Sequence, residues 1–140
     1  MKKVIYFFIV MIMVFLNACK KDECRCDADI YHQWEVMEFM SVESVYYAKD
    51  NNCNPAIEFR EDGTFDIHLD MNQCFGEFIL SGKDGISIMG IACTEICCDS
   101  AFSVKFTGML SQVESYSVEQ SKMKLIVPGW GWIELKLVSD

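Results

Sequence analysis

A mainly β domain with one packed helix, an α+β arrangement whose small antiparallel sheet curves or closes like a barrel, is predicted by three features of the chain. Apolar and polar residues alternate with period two over most of its length. Glycine-bearing turns separate the alternating runs, as in Glu61-Asp62-Gly63 and Ser81-Gly82-Lys83-Asp84-Gly85. One stretch, between Ser100 and Val113, changes to helical spacing.

Ahead of the alternating region, Lys2 and Lys3 precede thirteen uninterrupted apolar residues, Val4 to Leu16. A charged start followed by a short apolar run is the order of a secretory signal, and a permanent span needs about 20 apolar residues. Leu16-Asn17-Ala18-Cys19 resembles the lipobox of bacterial lipoproteins, in which the cysteine is acylated on sulfur, palmitate being one such chain, and becomes the mature N-terminus. The resemblance implies a signal peptide over residues 1–18 and attachment to the membrane through a lipid on Cys19. Lys20-Lys21-Asp22-Glu23 resembles the signal that sends lipoproteins to the outer face of the outer membrane in some Gram-negative phyla; a solvated tether is the plainer reading. The expected address is the outer membrane, lipid-anchored, on its periplasmic or cell-surface face. Residues 19–29 form the tether and residues 30–140 the domain.

Loss of the leader leaves ten basic against twenty-one acidic groups, a balance of −11. So acidic a chain is repelled by nucleic acid and by anionic lipid, and no nucleic-acid partner is expected.

The first strand is expected from near Ile30, with Trp34, Val36 and Phe39 in it. The pattern breaks between Ser41 and Asn54, where Lys49-Asp50-Asn51-Asn52 reads as a loop tip. From Ala56 alternation returns, with Ile57 and Phe59 on one side and Glu58 and Arg60 on the other. In the strand Phe65 to Leu69, Phe65, Ile67 and Leu69 share a face; Asp66, His68 and Asp70 share the opposite one and are expected to face water. Phe75, Phe78 and Leu80 lead into the second glycine turn, and Ile86, Ile88 and Ile91 lead out of it.

Asp99 or Ser100 can cap the helix expected over about residues 100–113. Its buried face is Phe102, Phe106, Met109, Leu110 and Val113. Gly108 costs that helix about 1 kcal/mol relative to alanine, so packing on the sheet must hold it. Two closing strands follow, Tyr116–Val118 running on through Leu125–Val127, and Trp132–Val138, joined through Pro128-Gly129-Trp130-Gly131.

Beyond Cys19 the domain carries Cys24, Cys26, Cys53, Cys74, Cys93, Cys97 and Cys98, seven in all. In an exported chain these are read first as disulfides, and an odd count leaves one thiol over. Adjacent Cys97 and Cys98 fit disulfide geometry poorly and are expected to reach two different segments. The competing reading is a metal site from Cys24-x-Cys26 and Cys97-Cys98 with His32 or His68. Zinc pairs usually have two residues between the cysteines and these do not, so no metal and no cofactor are expected. Asp66, His68 and Asp70 can hold a cation or act as acid and base, yet a solvated face explains them. Gly-x-Ser-x-Gly, a phosphate loop and His-Glu-x-x-His are all absent from the sequence. Trp130 and Trp132 are candidate binding residues, as indoles on a rigid loop; alternatively one of them closes the end of a barrel.

Trp34, Ile57-x-Phe59 with Asp62-Gly63-Thr64-Phe65, Cys74-x-Gly76 with Phe78, Gly85 with Ile86 and Ile88, Thr94 with Cys97, and Leu110 followed by Tyr116 together resemble the META domain of HslJ-type lipoproteins. This chain departs from that pattern in having Gln73-Cys74-Phe75 where the family has Gly-Cys-Asn, and in doubling the cysteine at Cys97-Cys98. The resemblance implies an antiparallel barrel or curved sheet with a helix on it, and no established enzymatic activity. It also places Cys74 near the start of the helix, so that Cys74 with Cys97 or Cys98 is the pair it implies, leaving Cys53 and one of Cys24 or Cys26 for the remainder. A lipocalin-like barrel is the second architecture. The expected function is a non-enzymatic envelope module that binds another envelope protein or serves in envelope stress; the alternatives are a small-molecule carrier and an inhibitor of a secreted enzyme.

Overall fold

The computed structural model describes residues 29–43, 47–50 and 52–138. Cys19, Cys24 and Cys26 lie outside the described residues. Eight strands and one helix are found among the described residues: β1 Gln33–Ser41, β2 Ala56–Phe59, β3 Thr64–His68, β4 Gln73–Ser81, β5 Gly85–Cys93, α1 Ala101–Leu110, β6 Ser115–Glu119, β7 Lys122–Val127 and β8 Gly131–Leu137. Each strand is antiparallel to its neighbours in sequence, and β8 pairs with β1 to close a barrel. One end of the barrel carries the hairpin turns at residues 60–63, 82–84 and 120–121; the other carries the 69–72 turn, the start of α1 and the 128–130 turn.

Alternation decides which side chains enter the barrel. β7 reads exposed and buried in strict turn, with Met123, Leu125 and Val127 inside. Trp34 and Val36 from β1, Ile57 and Phe59 from β2, Phe65 and Ile67 from β3, and Ile133 and Leu135 from β8 are all 0–1% exposed. Phe78, Ile86 and Ile88 complete the wall. The ring of Phe59 meets Phe78 edge-on at 5.0 Å and Phe65 at 6.2 Å, an arrangement that fills the interior with aromatic rings.

Where the alternation slips a phase, the backbone bulges. In β1 the inward set passes from Val36 to Phe39, and the register with β8 shifts between Val36 and Glu38. In β5 it passes from Ile88 toward Ile91 across Gly90, whose φ of 66° an L side chain rarely adopts. Phe75 and Ile79 of β4 face outward, 58% and 59% exposed.

Helix α1 begins as expected at Ser100, whose side chain accepts the Ser103 N–H at 3.2 Å. Phe102, Phe106, Met109 and Leu110, with Val113 just beyond, are buried, and Phe102 lies 4.7 Å from the Phe39 ring. The segment expected to run as one strand from Tyr116 to Val127 is instead the β6–β7 hairpin, turning at Gln120 with φ 56°. The physical reason is phase: Tyr116 and Val118 occupy even positions, Met123 and Leu125 odd ones, and only a turn lets both sets meet one core.

Candidate functional site

The barrel is weakest between β5 and β6, which share one register position, Gly85 with Ser115. Ile86 N–H donates to the Glu114 carbonyl at 3.0 Å, and Tyr116 N–H to the Asp84 carbonyl at 2.8 Å. Past that point the β6–β7 hairpin and the β4–β5 turn diverge. Between them, with residues 29–31 as a third wall, lies a half-open groove of about 900 Å³ lined by Tyr31, Leu80, Lys83, Asp84, Tyr116 and Val118.

Backbone alternation supplies the chemistry of the groove. Main-chain groups of every second residue point to the same side of a strand. Since Tyr116 N–H points away from β7 to Asp84, the N–H and C=O of Val118 also point away from β7, into the groove. Around this edge stand the carboxylates of Asp29, Asp84 and Glu119, with Lys83 and Lys122 as the basic groups. Lys122 is engaged by Glu134 at 2.9 Å, which holds its ammonium above the usual lysine range. Burial first, then Tyr31, Asp84 and Asp29, push the Tyr116 phenol up from its ordinary value. The groove is therefore acidic, with aromatic and aliphatic walls and a strand edge at Val118 that is unpaired among the described residues.

The cysteines are placed differently from the pairing implied by family resemblance. Cys74 bridges Cys93, directly opposite in register, rather than Cys97 or Cys98. The Gly90 bulge is the reason. Below it Glu77 faces Met89; carried on unshifted, that register sets Ala92 across from Cys74, and the extra residue brings Cys93 there instead. Cys97 and Cys98 bridge each other, against the expectation that they reach different segments. The chain turns sharply at Cys98, φ 92°, and that turn lets neighbouring side chains meet. Cys53 has no disulfide partner among the described residues; Cys24 and Cys26, one of which is expected to join it, lie outside them.

Asp70 also departs from expectation, because the chain leaves β3 after His68 and turns the carboxylate back toward the helix. Its Oδ2 accepts the Ser100 N–H at 2.7 Å. Burial alone raises this carboxyl, but the Cys53 thiol and the Ser100 and Ser103 hydroxyls outweigh it and bring it down to about 2. The same carboxylate holds the Cys53 thiol above its ordinary value. Nearby, buried Asn72 donates to the Ile96 carbonyl at 2.6 Å and to Asp99 at 2.7 Å, and accepts from Thr94 and from Ile96 N–H. These bonds tie the β3–β4 turn to the loop before α1. His68 is exposed, and Asp66 pairs with the Arg60 guanidinium. Among the described residues no group of three or more His, Cys, Asp or Glu side chains is placed to hold a metal ion.

Trp130 packs edge-on against Phe39 at 6.3 Å, with Lys105 Nζ 5.0 Å over its ring, and so caps the helix end of the barrel. Trp132, between Met40 and Ile126 in register, lies under Lys124 at 5.1 Å. Neither borders the groove. Sequence reasoning missed the groove because its walls come from three distant segments; the phase change across Gln120 and Ser121 was the one local signal of the hairpin that forms one side.

Two solved structures share the fold. A DUF4847 family protein from Bacteroides vulgatus ATCC 8482 superposes with a TM-score of 0.58 at 16% identity, covering 79% of this chain and 95% of its own. A protein from Burkholderia xenovorans, solved by NMR, does so with a TM-score of 0.66 at 11% identity, covering 79% and 83%. No curated protein matches the chain. The META domain, not a known enzymatic family, matches by its sequence profile over residues 28–129. With a closed antiparallel barrel, a helix inserted between its fifth and sixth strands and that match over most of its length, the chain belongs to the META domain family.

Proposed function

We propose that the protein is a lipid-anchored, non-enzymatic module of the bacterial envelope that binds another envelope protein through its seam groove. The observation that carries this reading is the contrast between the interior and the seam. The barrel is filled by side chains such as Trp34, Phe59, Phe65 and Phe106, each 0–1% exposed, which leaves little room for the carried small molecule of the alternative reading. The seam, in contrast, presents an open acidic groove and, at Val118, a strand edge with no partner strand among the described residues. Lys2, Lys3, the apolar run to Leu16 and Ala18-Cys19 support the anchor.

Two measurements test the proposal. Intact-mass analysis and fractionation of the wild-type chain and a Cys19→Ser variant should show an acylated mature N-terminus and membrane retention for wild type only. A photo-crosslinking residue at Lys83, in the groove, should yield a discrete protein adduct in intact cells, while the same residue at Ser87, on the outer face of β5, should not. A soluble, unmodified wild-type chain sinks the anchor; equal labelling from both positions, or from neither, sinks the groove as the binding site.

A further inference from the structure

We propose that the groove takes an extended, lysine- or arginine-bearing segment of its partner as an added strand on β6. This rests on the reading of the protein as a binding module and names the chemistry of its ligand. A strand edge with free main-chain groups is a template for another strand. Here the template is short and located. Beyond Tyr116, whose N–H is taken by the Asp84 carbonyl, residues Ser117 to Glu119 pair with β7 on one side only among the described residues, with the Val118 N–H and C=O on the open side. At the usual rise these residues offer roughly 10 Å of edge, enough to pair about three residues of a ligand.

Charge selects the ligand. Asp84 and Glu119 have no ion-pair partner among the described residues, Asp29 has only His32 at 3.5 Å, and Lys122 is engaged by Glu134. The groove thus presents three carboxylates against the single uncommitted ammonium of Lys83. A basic segment gains Coulomb attraction on entry, whereas a second copy of this chain, with its net charge of −9, meets repulsion. Ile30, Tyr31 and Leu80 form the apolar wall that alternate side chains of an added strand would meet.

The test uses the full chain in detergent and a fluorescein-labelled heptapeptide of alternating lysine and valine, read by fluorescence polarisation. Saturable binding should weaken at least tenfold when the peptide's amides are N-methylated at every second residue, on whichever edge pairs. It should be lost when glutamate replaces lysine in the peptide. In the protein, Asp84→Asn with Glu119→Gln should weaken binding at least fivefold at low salt and flatten its salt dependence. Val118→Pro should weaken it at least tenfold, since it removes a donor on the open side of β6 without touching the β7 ladder. Absence of binding up to 1 mM peptide overturns the proposal. So does equal affinity for both N-methylated peptides and the parent, because charge alone then accounts for binding. If the Lys83 crosslink forms while the peptide assay fails, the binding module stands and strand addition falls; if both fail, both readings fall.

Discussion

Replacing Cys74 and Cys93 together by alanine opens a covalent loop of sequence separation 19. The chain-entropy relation for a loop of that length gives about 3.2 kcal/mol of stabilisation lost at 25 °C. Replacing Cys97 and Cys98 together opens a loop of only those two adjacent residues, for which the same relation gives about 1.2 kcal/mol. Cys74 is also buried at the rim of the core, so its loss as sulfur adds to the first figure. Hairpin structure surviving in the unfolded chain subtracts from it, since β4 and β5 are already joined at seven register positions. The assay is urea denaturation of the two double variants and wild type, each exported to an oxidising compartment. A loss of about 3 kcal/mol for the cross-strand pair and about 1 kcal/mol for the adjacent pair is expected, with a larger m-value for the first because its unfolded chain expands. Equal losses, or under 1 kcal/mol for the Cys74 and Cys93 variant, would refute the loop argument together with the assigned pairing.

Gly108→Ala should stabilise the domain by about 0.5–1 kcal/mol, raising Tm by about 2–5 °C, because an added Cβ meets nothing within 4 Å and the helix loses a flexible residue. A lower Tm in calorimetry would contradict this. Asp70→Asn tests the link between the β3–β4 turn and the helix. A carboxyl lowered from 3.8 to about 2 stabilises the fold above pH 3.8 and loses that contribution as pH falls through about 2. After solvent screening the contribution is about 1 kcal/mol, and the variant's stability should vary less with pH between about 4 and 2 than that of wild type. Trp34→Ala, at a site 0% exposed whose indole N–H donates to the Ile30 carbonyl at 3.0 Å, should cost about 3–5 kcal/mol in the same denaturation assay.

How much of this was legible follows from the range of the interactions. Period-two alternation is a local property of the chain, and it placed Trp34, Ile57, Phe59, Phe65 and Ile67 in the core. The helix and its Ser100 cap were equally local, as was the glycine turn at Gly63. Phase slips at Val36 to Phe39 and Ile88 to Ile91 were visible as letters, but their consequence was not, because a bulge acts on the partner strand. A single extra residue at Gly90 moved Cys93 opposite Cys74, and no spacing within the sequence encodes that pairing. Asp70 illustrates the same limit: alternation sent it to water, whereas the 2.7 Å bond to Ser100 N–H, thirty residues away, drew it to the helix.

By itself the sequence determined the acidic charge, the alternating core faces and the capped helix, since each depends on residues within a turn or two of one another. Closure of the barrel, the cysteine pairing and the groove were decided only by tertiary structure. They arise where strands distant in sequence meet, and there a one-residue shift of register or the divergence of two hairpins determines which groups face each other.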